Sequence, residues 1–97
     1  MEEFEKTLEG YNYFHGLYLK AVNHPIRREI LKIVNREKII SKDNLYKKLF
    51  DLNLIKDDSE FNYNINYLIK AICIEKIEKN ENIFYEITQN GKIIEYL

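Results

Sequence analysis

The apolar residues of this chain recur with the period of a helix up to about residue 73 and alternate, as in strands, after it. Residues 3–22 read as a first helix with two apolar stripes: Leu8, Tyr11, His15, Tyr18 and Val22 on one, Tyr13, Leu17 and Ala21 on the other. A helix that is apolar on two faces must bury both. A domain of this size has one core, so the second stripe points to a partner, most simply a second copy of the chain. The other reading wraps this helix deeply into its own core. Asn23-His24-Pro25 then ends it, because proline disfavours helix in the residue before it and is pre-set for a first helical position. Ile26, Ile30, Ile33 and Val34 form the core stripe of a second helix, with Arg27, Arg28, Glu29, Lys32 and Arg36 outside.

Lys38-Ile39-Ile40 is a short β-branched stretch before Ser41, which caps a third helix running to about Leu52 on Leu45, Leu49 and Leu52. Residues 53–58 are a connection, and Asp58-Ser59 cap a fourth helix over residues 60–73. Phe61, Ile65, Leu68, Ile69 and Ile72 make its apolar stripe. Tyr63, Asn66, Tyr67 and Lys70 fall on the opposite face, with Asn62 beside them. Residues 74–79 and Ile83–Ile87 read as strands joined by the polar turn Asn80-Glu81-Asn82, with Ile83, Tyr85 and Ile87 on one face. Thr88 caps a last short helix that returns Ile93, Ile94 and Leu97 to the core. The order is helix, helix, short strand, helix, helix, hairpin, helix, an α+β pattern without internal repeats.

Composition narrows the function. At 97 residues, 45% hydrophobic and 32% charged, the chain reads as one globular domain over residues 1–97 and not as a disordered tail. The lone Cys73 cannot form an internal disulfide and has no Cys or His nearby, so no metal is expected and a reducing cytoplasm fits. It reads as a buried small hydrophobe. His24 reads as a helix-start residue, and His15 as a packed one. Met1 to Lys6 carry acids where a secretory leader starts basic, and no stretch reaches the ~20 apolar residues of a membrane span. A cytoplasmic protein with no membrane partner is expected. There is no Gly-rich phosphate loop and no strand-turn-helix setting for a nucleophile, so neither enzyme nor cofactor is expected. The net charge of −1 does not mark a nucleic-acid binder, but residues 25–56 carry +5 between a −2 segment before them and a −4 segment after. That basic middle suits a DNA-facing surface, and equally a set of ordinary solvated helix faces.

Three stretches resemble the ArsR-like winged helix-turn-helix of the type common in archaea. Leu19-Lys20-Ala21-Val22-Asn23-His24-Pro25-Ile26-Arg27-Arg28-Glu29-Ile30-Leu31 is similar to that family's second helix, which starts with a hydrophobic run and His-Pro-x-Arg-x-x-Ile-Leu. Phe61-Asn62-Tyr63-Asn64-Ile65-Asn66-Tyr67-Leu68-Ile69-Lys70-Ala71 is similar to its recognition helix. Phe84-Tyr85-Glu86-Ile87-Thr88-Gln89-Asn90-Gly91-Lys92-Ile93-Ile94 is similar to the Thr-x-x-Gly end of its wing. The resemblance implies a homodimeric, double-stranded DNA-binding transcriptional regulator. Its fourth helix would enter the major groove while the wing and neighbouring helix ends hold phosphates. On this reading Asn62 and Asn66 offer the donor–acceptor pair that matches adenine. Tyr63 and Tyr67 donate to phosphate or press on a thymine methyl, and Lys70 lies over a phosphate or a guanine. Lys42, Lys47 and Lys48 on the third helix, Lys76 and Lys79 at the hairpin, and the amide of Asn82 are phosphate candidates. Tyr13, Leu17 and Ala21 are the candidates for the dimer contact.

The departures from the family pattern matter too. The family ends its recognition helix with Ala-Gly-Leu, where glycine takes a left-handed cap. Here the stretch is Ala71-Ile72-Cys73, so the helix runs on or ends differently. The connection from Leu52 to Ser59 is longer than the usual turn and leaves the angle between the flanking helices open. Metal sensors of the family carry Cys-x-Cys in the third helix or acid and His sets in terminal helices; neither occurs here. Asn is abundant throughout, and Asp57, Asp58 and Glu60 crowd the start of a helix whose face has Lys70 as its one cation. These features suit the alternative, a winged-helix protein-interaction module within a larger assembly, with its tyrosines as interface residues.

Overall fold

A computed structural model describes residues 15–96. Helix α1 occupies residues 15–22 of these; the earlier part of the expected first helix, Tyr13 included, lies outside the described residues, as does Leu97. Helix α2 (Pro25–Glu37) starts as its sequence requires. His24 is extended and its Nδ1 accepts the Ile26 N–H at 3.3 Å, with Pro25 in the first helical position. Helix α3 (Lys42–Asp51) is capped by Ser41, whose Oγ accepts the Asn44 N–H at 3.2 Å. Helix α4 (Asp58–Lys70) is capped one residue earlier than the sequence suggests. Asp57 Oδ1 accepts the Glu60 N–H at 2.9 Å, which leaves Asp58 and Glu60 in the first turn. Carboxylates there complement the positive end of the helix dipole.

Helix α4 stops at Lys70 and does not continue to residue 73. The Cys73 N–H donates to the Leu68 carbonyl and the Ile72 N–H to the Ile69 carbonyl, both at 2.9 Å, the two bonds of a Schellman stop. Ile72 holds the left-handed position at φ 54°, where the resembling family has glycine. Its side chain is therefore turned out and 51% exposed, which corrects its assignment to the core stripe. Helix α3 ends the same way, with Leu54 donating to Leu49 and Asn53 to Phe50, both at 3.0 Å, and Asn53 at φ 60°. Asparagine adopts that conformation more readily than a β-branched residue does. Leu52, just beyond the helix, is exposed instead of completing the α3 stripe.

Strands β1 (Ile39–Ser41), β2 (Ile74–Lys79) and β3 (Asn82–Ile87) form an antiparallel sheet in the order β1-β3-β2. Asn82 belongs to the ladder, opposite Lys79, so the turn is the pair Asn80-Glu81. Both turn residues have positive φ (52° and 68°), as a type I′ hairpin demands. A short 3₁₀ helix (Gly91–Tyr96) closes the described chain. Thr88 organises this end: its hydroxyl donates to the Ile72 carbonyl at 2.5 Å and accepts the Gly91 N–H at 3.1 Å, and its own N–H donates to the Cys73 carbonyl at 3.2 Å. The Thr-x-x-Gly pattern thus pins the hairpin's exit to the turn after α4. Ile94 returns to the core, while Ile93 stays 39% exposed.

The core gathers Ile30, Leu31 and Val34 of α2, Leu45 and Leu49 of α3, Phe61, Ile65 and Leu68 of α4, and Ile74, Tyr85 and Ile87 of the sheet. Each large side chain so buried contributes about 1.5–3 kcal/mol. Ala21 is fully buried in this same core and Leu17 packs partly against it, so Ala21 of the second α1 stripe serves its own domain. Cys73 is fully buried, and that burial pushes its thiol up to about 12. Among the described residues no helix is long and apolar enough to cross a membrane.

Candidate nucleic-acid interface

The outward face of α4 carries Asn62, Tyr63, Asn66 and Lys70, all exposed, and Tyr67, half-buried. What holds this face is a residue that the sequence pattern leaves outside. Arg27 of α2 is only 5% exposed and lies beneath α4. Its Nε donates to Asn64 Oδ1 at 3.1 Å, and its Nη1 donates to the Lys20 carbonyl of α1 at 3.0 Å. The guanidinium carbon lies 3.9 Å from the centre of the Tyr67 ring and 5.8 Å from that of Tyr63. The two rings are 6.3 Å apart, one helical turn from each other. Asn64, also buried, donates through Nδ2 to the Glu60 carbonyl at 2.9 Å, which turns its oxygen toward Arg27. Next to Arg27, Arg28 donates from Nε to the Val22 carbonyl at 2.7 Å. Both arginines thereby satisfy carbonyls at the end of α1, where cations also suit the helix dipole.

Arg27 was signalled twice in the sequence, first as the arginine of the His-Pro-x-Arg-x-x-Ile-Leu stretch. It also precedes Ile30 by three residues and Leu31 by four, so helical spacing puts it on the buried side of α2. Asn64 is likewise one turn from Phe61 and Leu68. Both are polar, so a reading by hydrophobicity passes over them.

Lys42 stands at the junction of three elements. One groove, lined by Lys42, Asp43, Tyr46, Asp58, Phe61 and Asn62, runs between α3 and α4. A second, lined by Lys42, Asn44, Glu81, Asn82 and Phe84 among others, runs from the start of α3 to the hairpin tip. Lys42, Asn62 and Asn82 are thus brought around one corner. Lys47 and Lys48 line a different groove with Glu37, Ile39 and Phe84, and Lys48 lies 3.9 Å from the Glu37 carboxylate. The strand pleat separates the two hairpin lysines. Lys76 is in register with Tyr85, which packs on Phe61 of α4, whereas Lys79 is opposite Asn82 on the other face. Lys76 also lies 3.4 Å from Glu78. Such exposed pairs are worth little and open readily to a phosphate.

The basic middle segment is partly committed to internal bonds, through Arg27 and Arg28. The beginning of α4 is negative. Desolvation, and then Asp58 and Asp57, hold the Tyr46 phenol above its ordinary value. Desolvation first, and Arg27 second, hold His24 below its own. Among the described residues no group of three or more His, Cys, Asp or Glu side chains is arranged to hold a metal ion.

A helical core, helix α3, a helix α4 exposed along one face and a carboxy-terminal β-hairpin make this fold a winged helix. It is shared with solved structures of low sequence identity. An ArsR family transcriptional regulator superposes with a TM-score of 0.70 at 16% identity, over 89% of this chain and 82% of that one. HlyU from Vibrio cholerae N16961 superposes with a TM-score of 0.71 at 18% identity, over 89% of each chain. No protein-family model matches the sequence, and no curated protein is similar to it at the sequence level.

Proposed function

We propose that this chain is a double-stranded DNA-binding transcriptional regulator of the ArsR-like archaeal type. It acts as a cytoplasmic homodimer and has no catalytic activity. The observation that carries the reading is the exposed Asn62, Tyr63, Asn66 and Lys70 face of α4, next to a hairpin whose tip shares a groove with Lys42. Amide, hydroxyl and ammonium groups of this kind, aligned along one helix, match base edges and phosphates in a major groove. A transcriptional regulator among the solved structures of the same fold supports it. Asn62 and Asn66 read bases, and Tyr63 and Tyr67 meet phosphate or a thymine methyl. Lys42, Lys47, Lys48, Lys70, Lys76, Lys79 and the Asn82 amide hold the backbone. The dimer forms through the first helix, at Tyr13 and Leu17.

An electrophoretic mobility shift on random-sequence duplex at low salt tests the reading. Retarded duplex, lost steeply as salt rises, is expected. No retardation at any salt favours the second reading, a protein-interaction module, which the 62% exposed Tyr63 ring beside a carboxylate-rich helix start would suit. Replacing Tyr13 and Leu17 together by Glu should give a folded monomer. Wild type sedimenting as a monomer at roughly tens of micromolar would remove the dimer from the proposal.

A further inference from the structure

We propose that Arg27 is the positioning residue of the α4 reading face: from beneath the helix it fixes the Tyr67 ring, and Tyr63 beside it, and supplies the face with a second positive charge. The inference rests on the DNA-binding reading above. A guanidinium has donors on its edges and flat, weakly hydrated faces, and Arg27 uses both. Its edges are bonded to Asn64 Oδ1 and the Lys20 carbonyl, and one face is stacked on Tyr67. Among the described residues no carboxylate pairs with it. A buried cation without a counter-ion is costly, and packing alone would be served better by an apolar side chain. What the cation adds is an un-neutralised charge under two tyrosines, acting through a medium of low dielectric on the surface where a phosphate would lie. Lys70 is otherwise the one cation of that face. The Lys20 carbonyl also ties the same side chain to the last turn of α1, so the tilt of the reading face is set from the helix of the proposed dimer contact.

The test compares binding to one fixed duplex at low salt, at a temperature where every variant is folded by circular dichroism. Arg27→Lys keeps the charge but loses the planar stack and one of the two edge bonds. It should weaken binding at least about fivefold and shift the Tyr67 ring protons in the NMR spectrum. Tyr67→Leu should cost affinity in wild type and clearly less in the Arg27→Lys background, because both changes break the same contact. Should Arg27→Lys not fold, Tyr67→Phe carries the test: it keeps the ring on the guanidinium and should lose clearly less affinity than Tyr67→Leu. Arg27→Lys binding like wild type, losses that simply multiply, or equal losses for Tyr67→Phe and Tyr67→Leu would each overturn the positioning role. Wild type that binds no duplex would overturn the DNA reading itself.

Discussion

Glu81 sits at the second position of the hairpin turn with φ 68°, a conformation in which an L-residue other than Gly, Asn or Asp is strained. Glu81→Gly removes that strain and leaves every ladder bond of β2 and β3 in place. Left-handed backbone costs an L-residue about 1–2 kcal/mol, and glycine returns about 0.5–1 kcal/mol of that through the entropy of its unfolded chain. The side chain is exposed and forms no ion pair among the described residues, so no packing is lost. At the middle of both ranges the net gain is about 0.75 kcal/mol, or roughly 3–6 °C in melting temperature for a domain of this size. Thermal melts by circular dichroism at equal protein concentration measure it, since concentration would shift the melt of the proposed dimer. Glu81→Ala is the control: it removes the same charge but keeps the Cβ, and should change stability by less than about 0.5 kcal/mol. Glu81→Gly melting at or below wild type, or Glu81→Ala gaining as much, would refute strain at Glu81. Because Glu81 shares a groove with Lys42 and Asn82, its loss should also leave duplex affinity equal or higher.

Three shorter expectations accompany it. Gly91→Ala should destabilise the fold by about 1–3 kcal/mol, since a Cβ there would stand 2.1 Å from the Cys73 carbonyl oxygen; an unchanged denaturant midpoint would contradict that contact. Cys73, with its thiol pushed up to about 12, should resist alkylation in the folded protein near neutral pH and react once denatured; fast native reaction would contradict its burial. His24 is held below its ordinary 6.5 by desolvation and then Arg27, so the unfolded chain takes up that proton first as pH falls. Stability is then full above about pH 6.5 and declines below it. His24→Asn, which keeps a capping acceptor, should flatten that decline, and an unchanged decline would place the proton elsewhere.

How much of this was legible in the sequence depended on which force decided each feature. Helices α2 to α4 and the hairpin follow from apolar spacing, because burial of one face selects the period. The Ser41 and Thr88 caps also read directly, since each is a local side-chain-to-backbone bond, whereas the bonds from Thr88 to Ile72 and Cys73 are long-range. Ile72 did not: its spacing says core, but the chain must turn at Cys73 to begin β2, and the turn rotates Ile72 outward. Arg27 and Asn64 are polar groups buried in each other's company, invisible to hydrophobicity though their spacing was right. The double stripe of the first helix overstated what is left for a partner, since Ala21 is fully buried in its own core. The candidate face of α4 was visible as residues opposite the core stripe. Its support from below depends on tertiary packing, whereas the separation of Lys47 and Lys48 from Lys42 follows from helical spacing along α3.

Asn66→Ala and Lys70→Ala, with binding and melting temperature measured side by side, decide whether the α4 face reads DNA. Both side chains are exposed, so both variants should melt like wild type. Asn66→Ala should cost about 1–3 kcal/mol and relax preference at one base pair, as loss of a bidentate adenine contact would. Lys70→Ala should weaken all sequences alike and lower the salt slope by about one. If both variants melt like wild type and bind duplex DNA as wild type does, the face is not a DNA reader.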